Sequence, residues 1–104
     1  MATLLIVDDE KDIVSALEIY LKPEGYEILT ANSGKQAVDI MHREKVDLIL
    51  MDIMMPEMDG YQATSKIREE SNVPIIFLTA KSEDTDMILG LNIGADDYIT
   101  KPFN

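Results

Sequence analysis

Acidic side chains follow two of the most apolar segments of the chain. The run Leu4–Val7 ends in Asp8 and Asp9, and the run Val46–Met51 ends in Asp52. If these segments are neighbouring parallel strands, their carboxyl ends meet at one edge of the sheet, and the three carboxylates converge there. Like charges coexist at such a place when a cation joins them. The sequence therefore predicts a site for Mg²⁺, or for Mn²⁺, because both favour oxygen ligands.

A carboxylate beside a bound cation can attack phosphorus. Asp52 closes a segment of Leu, Ile and Met, where an uncompensated charge is costly. Attack by Asp52 on a phosphoryl donor would give an aspartyl phosphate, while the cation neutralises the transferring oxygens. Thr79 and Lys101 end two further apolar segments and offer a hydroxyl and an ammonium group to the phosphoryl oxygens. The backbone carbonyl of Met54 is a candidate cation ligand.

Apolar segments of strand length alternate with segments of helical periodicity along the whole chain. The predicted strands are Leu4–Val7, Tyr26–Ala31, Val46–Met51, Pro74–Leu78 and Asp97–Thr100. Helix boundaries are indicated by Pro23 and Gly25 after the first helix, by Ser33 before the second, and by Asp59 with Gln62 at the third. A fourth helix is predicted from about Glu83 to Ile93.

This β-α alternation predicts an α/β fold with a doubly wound, flavodoxin-like, five-stranded parallel sheet of order 2-1-3-4-5. Right-handed crossovers place the first helix on one face of the sheet and the next three on the other. With 104 residues, the chain is expected to form one domain over 1–104.

Composition excludes several classes of function. The 20 acidic and 9 basic side chains give a formal charge of -11, which argues against direct binding of nucleic acid or of an anionic membrane by this segment. Cysteine is absent, so disulfides and thiolate metal sites are excluded. The first apolar run lacks a basic flank and leads directly into acids, unlike a signal peptide or membrane span. A cytoplasmic protein is expected.

Each candidate residue alone has a structural alternative. Asp8 and Asp9 could cap the first helix, Thr79 could merely end a strand, and Lys101 could be a solvated lysine. Asp59 is expected to be a helix cap whatever the domain does. The prediction depends on the coincidence of functional side chains at four strand ends.

Taken together, the motifs resemble those of the receiver domains of bacterial response regulators over essentially all of Leu4 to Asn104. The motifs that carry the resemblance are Val7-Asp8-Asp9-Glu10, Leu50-Met51-Asp52-Ile53-Met54-Met55-Pro56, Met58-Asp59-Gly60, Leu78-Thr79-Ala80, Gly94-Ala95-Asp96-Asp97-Tyr98 and Lys101-Pro102-Phe103. The resemblance implies that Asp52 is the phosphoacceptor and that Asp9 and the Met54 carbonyl bind Mg²⁺. It further implies that Asp8 acts through water or as part of the acidic pocket.

The resemblance also implies a mode of switching and a set of partners. Thr79 and Lys101 would contact the phosphoryl group, and Tyr98 would be an aromatic switch residue that turns inward with Thr79. The donor would be a sensor histidine kinase. The domain would not be a conventional enzyme, since it would catalyse only its own cation-dependent phosphorylation and slow dephosphorylation. The conformational change would pass to an output domain.

The end of the chain resembles one subfamily and departs from the family in one respect. The Gly-Ala-Asp-Asp-Tyr and Lys-Pro-Phe-Asn runs are similar to those of regulators that continue into a winged-helix DNA-binding domain. Receivers carry a fifth helix, whereas this chain stops at Asn104 after strand five. We therefore expect a domain truncated after that strand, with apolar surface beside the first helix and a tendency to form homodimers or to self-associate.

Three other functions compete with this interpretation. A phosphatase of the haloacid-dehalogenase type needs a second acid two residues after its nucleophile, where this chain has Met54. A flavodoxin-like cofactor binder needs a loop of Gly, Ser or Thr where this chain has Asp8 and Asp9. A receiver-like module that binds partners without being phosphorylated in this truncated form stays open.

Overall fold

The computed structural model describes residues 1–79 and 96–100, apart from the side chains of residues 79, 98 and 100. The strands are β1 (Thr3–Val7), β2 (Glu27–Ala31), β3 (Leu48–Asp52), β4 (Ile75–Thr79) and β5 (Asp97–Thr100). The helices are α1 (Lys11–Leu21), α2 (Gly34–Arg43) and α3 (Gly60–Arg68), and a short 3₁₀ turn covers Lys22–Glu24. The fourth helix predicted from the sequence lies outside the described residues.

The strands form one parallel sheet with the order β2-β1-β3-β4-β5, which is the order predicted from the sequence. Side chains alternate between its faces. On one face, Leu5, Met51 and Phe77 belong to a core that includes Ala37 of α2 and Ile67 of α3. On the other face, buried Ile6, Leu50 and Leu78 contact Val14, Leu17 and Leu21 of α1. The predicted α/β, doubly wound architecture is therefore confirmed.

The helices of the described ranges cover the two faces unequally. None of the residues Lys11–Leu21, all of which the structure describes, is fully buried, and Ile19 and Tyr20 are 71% and 62% exposed. The opposite face buries residues from both α2 and α3. Within the described part of the chain, no helix is long and apolar enough to cross a membrane.

The helix boundaries follow the local signals in the sequence. After α1 the chain turns at Gly25, whose φ of 93° is favourable for glycine. The Ser33 hydroxyl accepts the Gln36 N–H at the start of α2, at 3.1 Å. Asp59 and Gln62 form the predicted capping box of α3.

Strand β3 begins later than the apolar pattern predicts. Val46 is half-buried, but the next residue, Asp47, is exposed and forms a bridge to the first residue of β1. Regular pairing with β1 starts one residue further on, where Leu48 faces Leu4. The strand extends through Asp52, so the acid predicted to follow the strand is its last residue.

Candidate functional site

Two buried aspartates occupy matching positions at the carboxyl ends of neighbouring strands. The register pairs Val7 of β1 with Met51 of β3, so the next residues along the two strands are Asp8 and Asp52. Their exposed fractions are only 2% and 3%. Because neighbouring strands are about 4.8 Å apart, the register brings the backbones of these two poorly hydrated acids close together at this edge.

Asp8 belongs to a compact acidic cluster with Asp9 and Glu10. One carboxylate oxygen from each of the three residues lies within 4.8 Å of the other two. Asp8 is buried, whereas Asp9 and Glu10 are exposed at the mouth of the site. Glu10 was not assigned to the site from the sequence, although it directly follows the acidic pair.

Backbone hydrogen bonds hold Asp8 in this position. Its N–H donates to the Ala31 carbonyl at 3.1 Å, which extends the pairing of β1 with β2. Its Oδ1 accepts the Glu10 N–H at 2.9 Å, which fixes the turn into α1. Glu10 is the N-cap residue of α1, and its side chain makes no capping bond. Neither Asp8 nor Asp9 is the N-cap residue of α1, although the Asp8 carboxylate holds the turn that leads into the helix.

The donor set suits a small hard cation. Mg²⁺ prefers carboxylate and carbonyl oxygens at about 2.0–2.1 Å and keeps several of its waters. The three oxygens are close enough to share one ion directly or through such waters. Because one acid is buried and two are exposed, one side of the acidic cluster is open to solvent. The acids of this cluster fit the predicted cation, but among the described residues the cluster includes Glu10 and does not include Asp52, which the sequence predicted as its third member.

Two backbone hydrogen bonds fix Ile53, the residue that precedes Met54 in the loop after β3. The Ile53 N–H donates to the Leu78 carbonyl at 3.3 Å, and the Gly60 N–H donates to the Ile53 carbonyl at 2.9 Å. Ile53 and Met55 are buried, whereas the Met54 side chain is 76% exposed. Because that side chain lies in solvent, Met54 can contribute to a site at the sheet edge through its backbone, as the sequence predicts for its carbonyl.

Gly60 lets α3 begin directly against the end of β3. A Cβ atom at Gly60 would collide with the Asp52 carbonyl oxygen and lie 2.9 Å from the Ile53 Cα. The helix start is fixed there by the capping box, in which Asp59 Oδ1 accepts the Gln62 N–H at 2.8 Å and Gln62 Oε1 accepts the Asp59 N–H at 3.0 Å. Gly60 thus supports the backbone of the candidate phosphoacceptor, a role that was not recognised from the sequence.

The other predicted site residues are only partly described. Thr79 is the last residue of β4 and lies one position beyond Leu78, the partner of Asp52. Tyr98 pairs with Phe77 in β5. The structure thus places the Thr79 backbone at the same edge as Asp52, while the side chains of Thr79 and Tyr98, and the whole of Lys101, lie outside the described residues.

Comparison with known proteins identifies the family. The family model described as the response regulator receiver domain matches residues 4–104. The chain resembles the Vibrio cholerae chemotaxis protein CheY4, with 33% identity, a TM-score of 0.95, and coverage of 100% of this chain and 89% of that one. It is 41% identical to the receiver domain of TorR, the response regulator of a TMAO respiratory system, with a TM-score of 0.91 and coverage of 100% and 87%.

A third similar structure contains a metal. It is the receiver domain of the sensor histidine kinase PA1611 from Pseudomonas aeruginosa, with a magnesium ion coordinated in its active-site cleft. Identity is 38%, the TM-score is 0.89, and the alignment covers 99% of this chain and 87% of that one. With the fold, the acidic edge and the family match in agreement, the chain belongs to the response regulator receiver domain family.

Proposed function

We propose that this domain is a phosphorylation-dependent signalling switch in which Asp52 accepts a phosphoryl group with the help of a divalent cation. One observation carries the proposal. Asp52 is a buried carboxylate at the end of β3, at the register position that matches Asp8, and Asp8 is the buried member of a cluster of three acids. A buried acid beside other acids is poorly suited to a purely structural role, and it is well suited to a cation-assisted nucleophile.

The proposed reaction transfers one phosphoryl group from a phosphohistidine to Asp52. An Asp52 carboxylate oxygen attacks phosphorus of a phosphohistidine, the new O–P bond forms, and the N–P bond breaks. The departing imidazole nitrogen keeps the bonding electron pair and takes up a proton. Later attack by water on phosphorus breaks the O–P bond, releases inorganic phosphate and restores the Asp52 carboxylate. The domain is thus a carrier that modifies itself and not a conventional enzyme.

The acidic edge supplies the ligands for the cation. Asp8, Asp9, Asp52 and the Met54 carbonyl would hold it, with Asp8 acting directly or through a water. When bound, Mg²⁺ or Mn²⁺ neutralises charge on the transferring oxygens. The magnesium ion in the related PA1611 receiver domain supports this assignment. Thr79 and Lys101 would contact the remaining phosphoryl oxygens through a hydroxyl and an ammonium group.

Phosphorylation would act on the rest of the molecule through added charge. A phosphoryl group on Asp52 adds about two negative charges at a buried sheet edge, which favours a different arrangement of neighbouring donors. Thr79 and Tyr98 are the proposed switch pair. A sensor histidine kinase is the proposed donor, and a winged-helix DNA-binding domain in a longer protein is the proposed output. The exposed Ile19 and Tyr20 support self-association through the α1 face.

Intact-mass spectrometry after incubation with Mg²⁺ and acetyl phosphate tests the proposed function. The parent should gain one phosphoryl group, and Asp52→Asn should gain none. Asp59→Asn is the matched control, because it changes a nearby acid of the same type while asparagine preserves the helix cap. Equal uptake by the parent and Asp52→Asn would refute the assignment. Uptake by neither protein would favour a receiver-like module that binds partners without being phosphorylated.

A further inference from the structure

Two aspartates make the same unusual bridge at the opposite, amino-terminal edge of the sheet. Asp47 directly precedes β3, and Asp96 directly precedes β5. The Asp47 N–H donates to the Thr3 carbonyl at 2.8 Å, and Asp47 Oδ2 accepts the Thr3 N–H at 2.8 Å. Asp96 repeats this with Ile75, again at 2.8 Å in both directions. In each case the partner is the first residue of the neighbouring strand.

Such a bridge selects one register between two strands. An aspartate side chain is short, so its carboxylate reaches the N–H of the facing residue only while its own N–H faces the carbonyl of that residue. Sliding one strand by a single residue breaks both hydrogen bonds together. A slip of this kind also turns every side chain of the strand to the opposite face. The bridge therefore specifies where a strand begins to pair.

The two strand pairs differ in how much else fixes their register. β1 and β3 are central strands with apolar residues buried on both faces of the sheet, such as Leu5 and Ile6. β5 has four residues, pairs with β4 alone at the edge of the sheet, and exposes Asp97 and Ile99 along one of its faces. On the face that carries Asp97 and Ile99, burial therefore constrains β5 little, so the register of β5 gains from its bridge.

Arg68 holds the Asp96 bridge in place. Arg68 Nη2 donates to Asp96 Oδ2 at 3.2 Å, and Nη1 donates to the Ser71 carbonyl at 3.3 Å. The arginine side chain is 19% exposed and the Asp96 side chain is 57% exposed, so Arg68 is held in place on the protein side while the ion pair itself is open to solvent. One carboxylate oxygen of Asp96 thus accepts from both Ile75 and Arg68. The Asp47 bridge has no such arginine among the described residues.

We propose that Asp96, held by Arg68, is a positioning residue that fixes the register of β5. It thereby sets the position of the backbone at Thr100, the residue before Lys101. This inference rests on the proposed function, in which Lys101 contacts the phosphoryl group. The bridge and the phosphorylation site lie at opposite ends of the sheet. Asp96 and Arg68 therefore act on the reaction at a distance, through the placement of β5.

Two measurements on the full chain test the role of Asp96. Hydrogen exchange of residues 97–100 reports the attachment of β5, and the rate of phosphoryl uptake from acetyl phosphate with Mg²⁺ reports positioning. In Asp96→Ala, β5 amides should exchange roughly tenfold faster. The loss of one or two hydrogen bonds lowers the free energy that is needed to open this strand locally. Uptake should slow several-fold, while Mg²⁺ affinity, measured by NMR titration, stays unchanged because the proposed cation ligands lie directly after β1 and at the end of β3.

Matched variants separate positioning from general stability. Asp47→Ala removes the same bridge from the central strands and should leave uptake close to the parent rate. Arg68→Ala should reproduce the effect of Asp96→Ala in weaker form, and Asp96→Asn should restore most of the uptake because asparagine can still accept the Ile75 N–H.

Unchanged β5 exchange in Asp96→Ala would overturn the register role of Asp96. Equal slowing of uptake by Asp47→Ala and Asp96→Ala, in proportion to lost stability, would overturn the positioning role. Absence of uptake by the parent would instead refute the proposed function, and the positioning role with it, while exchange still decides whether Asp96 anchors β5.

Discussion

Gly60 lies directly against the carbonyl oxygen of Asp52, so the first residue of α3 has no room for a side chain. A Cβ atom there would also come within 2.9 Å of the Ile53 Cα. The helix that follows the candidate phosphoacceptor therefore packs against its backbone, and the position of one depends on the position of the other.

Gly60→Ala should disturb both stability and the site. Backbone atoms cannot move aside cheaply, so we expect a loss of about 1–3 kcal/mol in the free energy of unfolding. Gly25→Ala is the control, because its φ of 93° is strained for alanine by about 1–2 kcal/mol while nothing lies within 4 Å of the new methyl group. Urea denaturation measures both losses. Only Gly60→Ala should slow phosphoryl uptake, and equal uptake by the two variants would contradict the contact.

Mg²⁺ should stabilise the parent and should do so less when Asp9 is neutralised. At a concentration of 100 times the dissociation constant, a bound ion adds about 2.7 kcal/mol to the free energy of unfolding. Asp9→Asn should lose most of this gain, since it removes an exposed carboxylate of the acidic cluster. Asp12→Asn, an exposed acid in the first turn of α1, should keep the gain. Denaturation with Mg²⁺ and with EDTA checks the result, and identical gains in Asp9→Asn and the parent would exclude Asp9 as a ligand.

Thr64→Val should stabilise the domain. The Thr64 hydroxyl is fully buried in α3 and has no hydrogen-bond partner within the described residues. A buried, unpaired polar atom costs about 1–3 kcal/mol, so a methyl group of the same shape should raise the free energy of unfolding by roughly 1 kcal/mol. Thr64→Ser keeps the hydroxyl and removes the methyl group, and it should destabilise by a comparable amount. A destabilised Thr64→Val variant would indicate that the hydroxyl has a partner in the folded protein.

Much of this architecture is predictable from local sequence. Apolar runs end abruptly at Asp8 and Asp52 because parallel strands are buried along their length and meet solvent only at their ends. The caps at Ser33 and Asp59 are also local, since each involves residues three positions apart. These features can be predicted without knowing which strands are neighbours in the sheet.

The contacts that the sequence did not reveal join residues that are not neighbours within one helix or strand. Gly60 meets Asp52 because of the path of an irregular loop, and Asp96 meets Ile75 because two strands far apart in sequence share an edge. The observed start of β3 also differs from the predicted start, because Asp47 bonds to Thr3 before regular pairing begins. Periodicity reports which face a residue occupies, but it carries no information about which backbone group faces it across the sheet.

The most direct test of the central claim is to locate the phosphoryl group. Borohydride reduces an aspartyl phosphate to homoserine, so the domain can be incubated with Mg²⁺ and acetyl phosphate, reduced, and mapped by peptide mass spectrometry. We predict homoserine at position 52 and unmodified aspartate at positions 8 and 9. Homoserine at position 8 or 9, with Asp52 unmodified, would contradict the assignment of Asp52 as the phosphoacceptor.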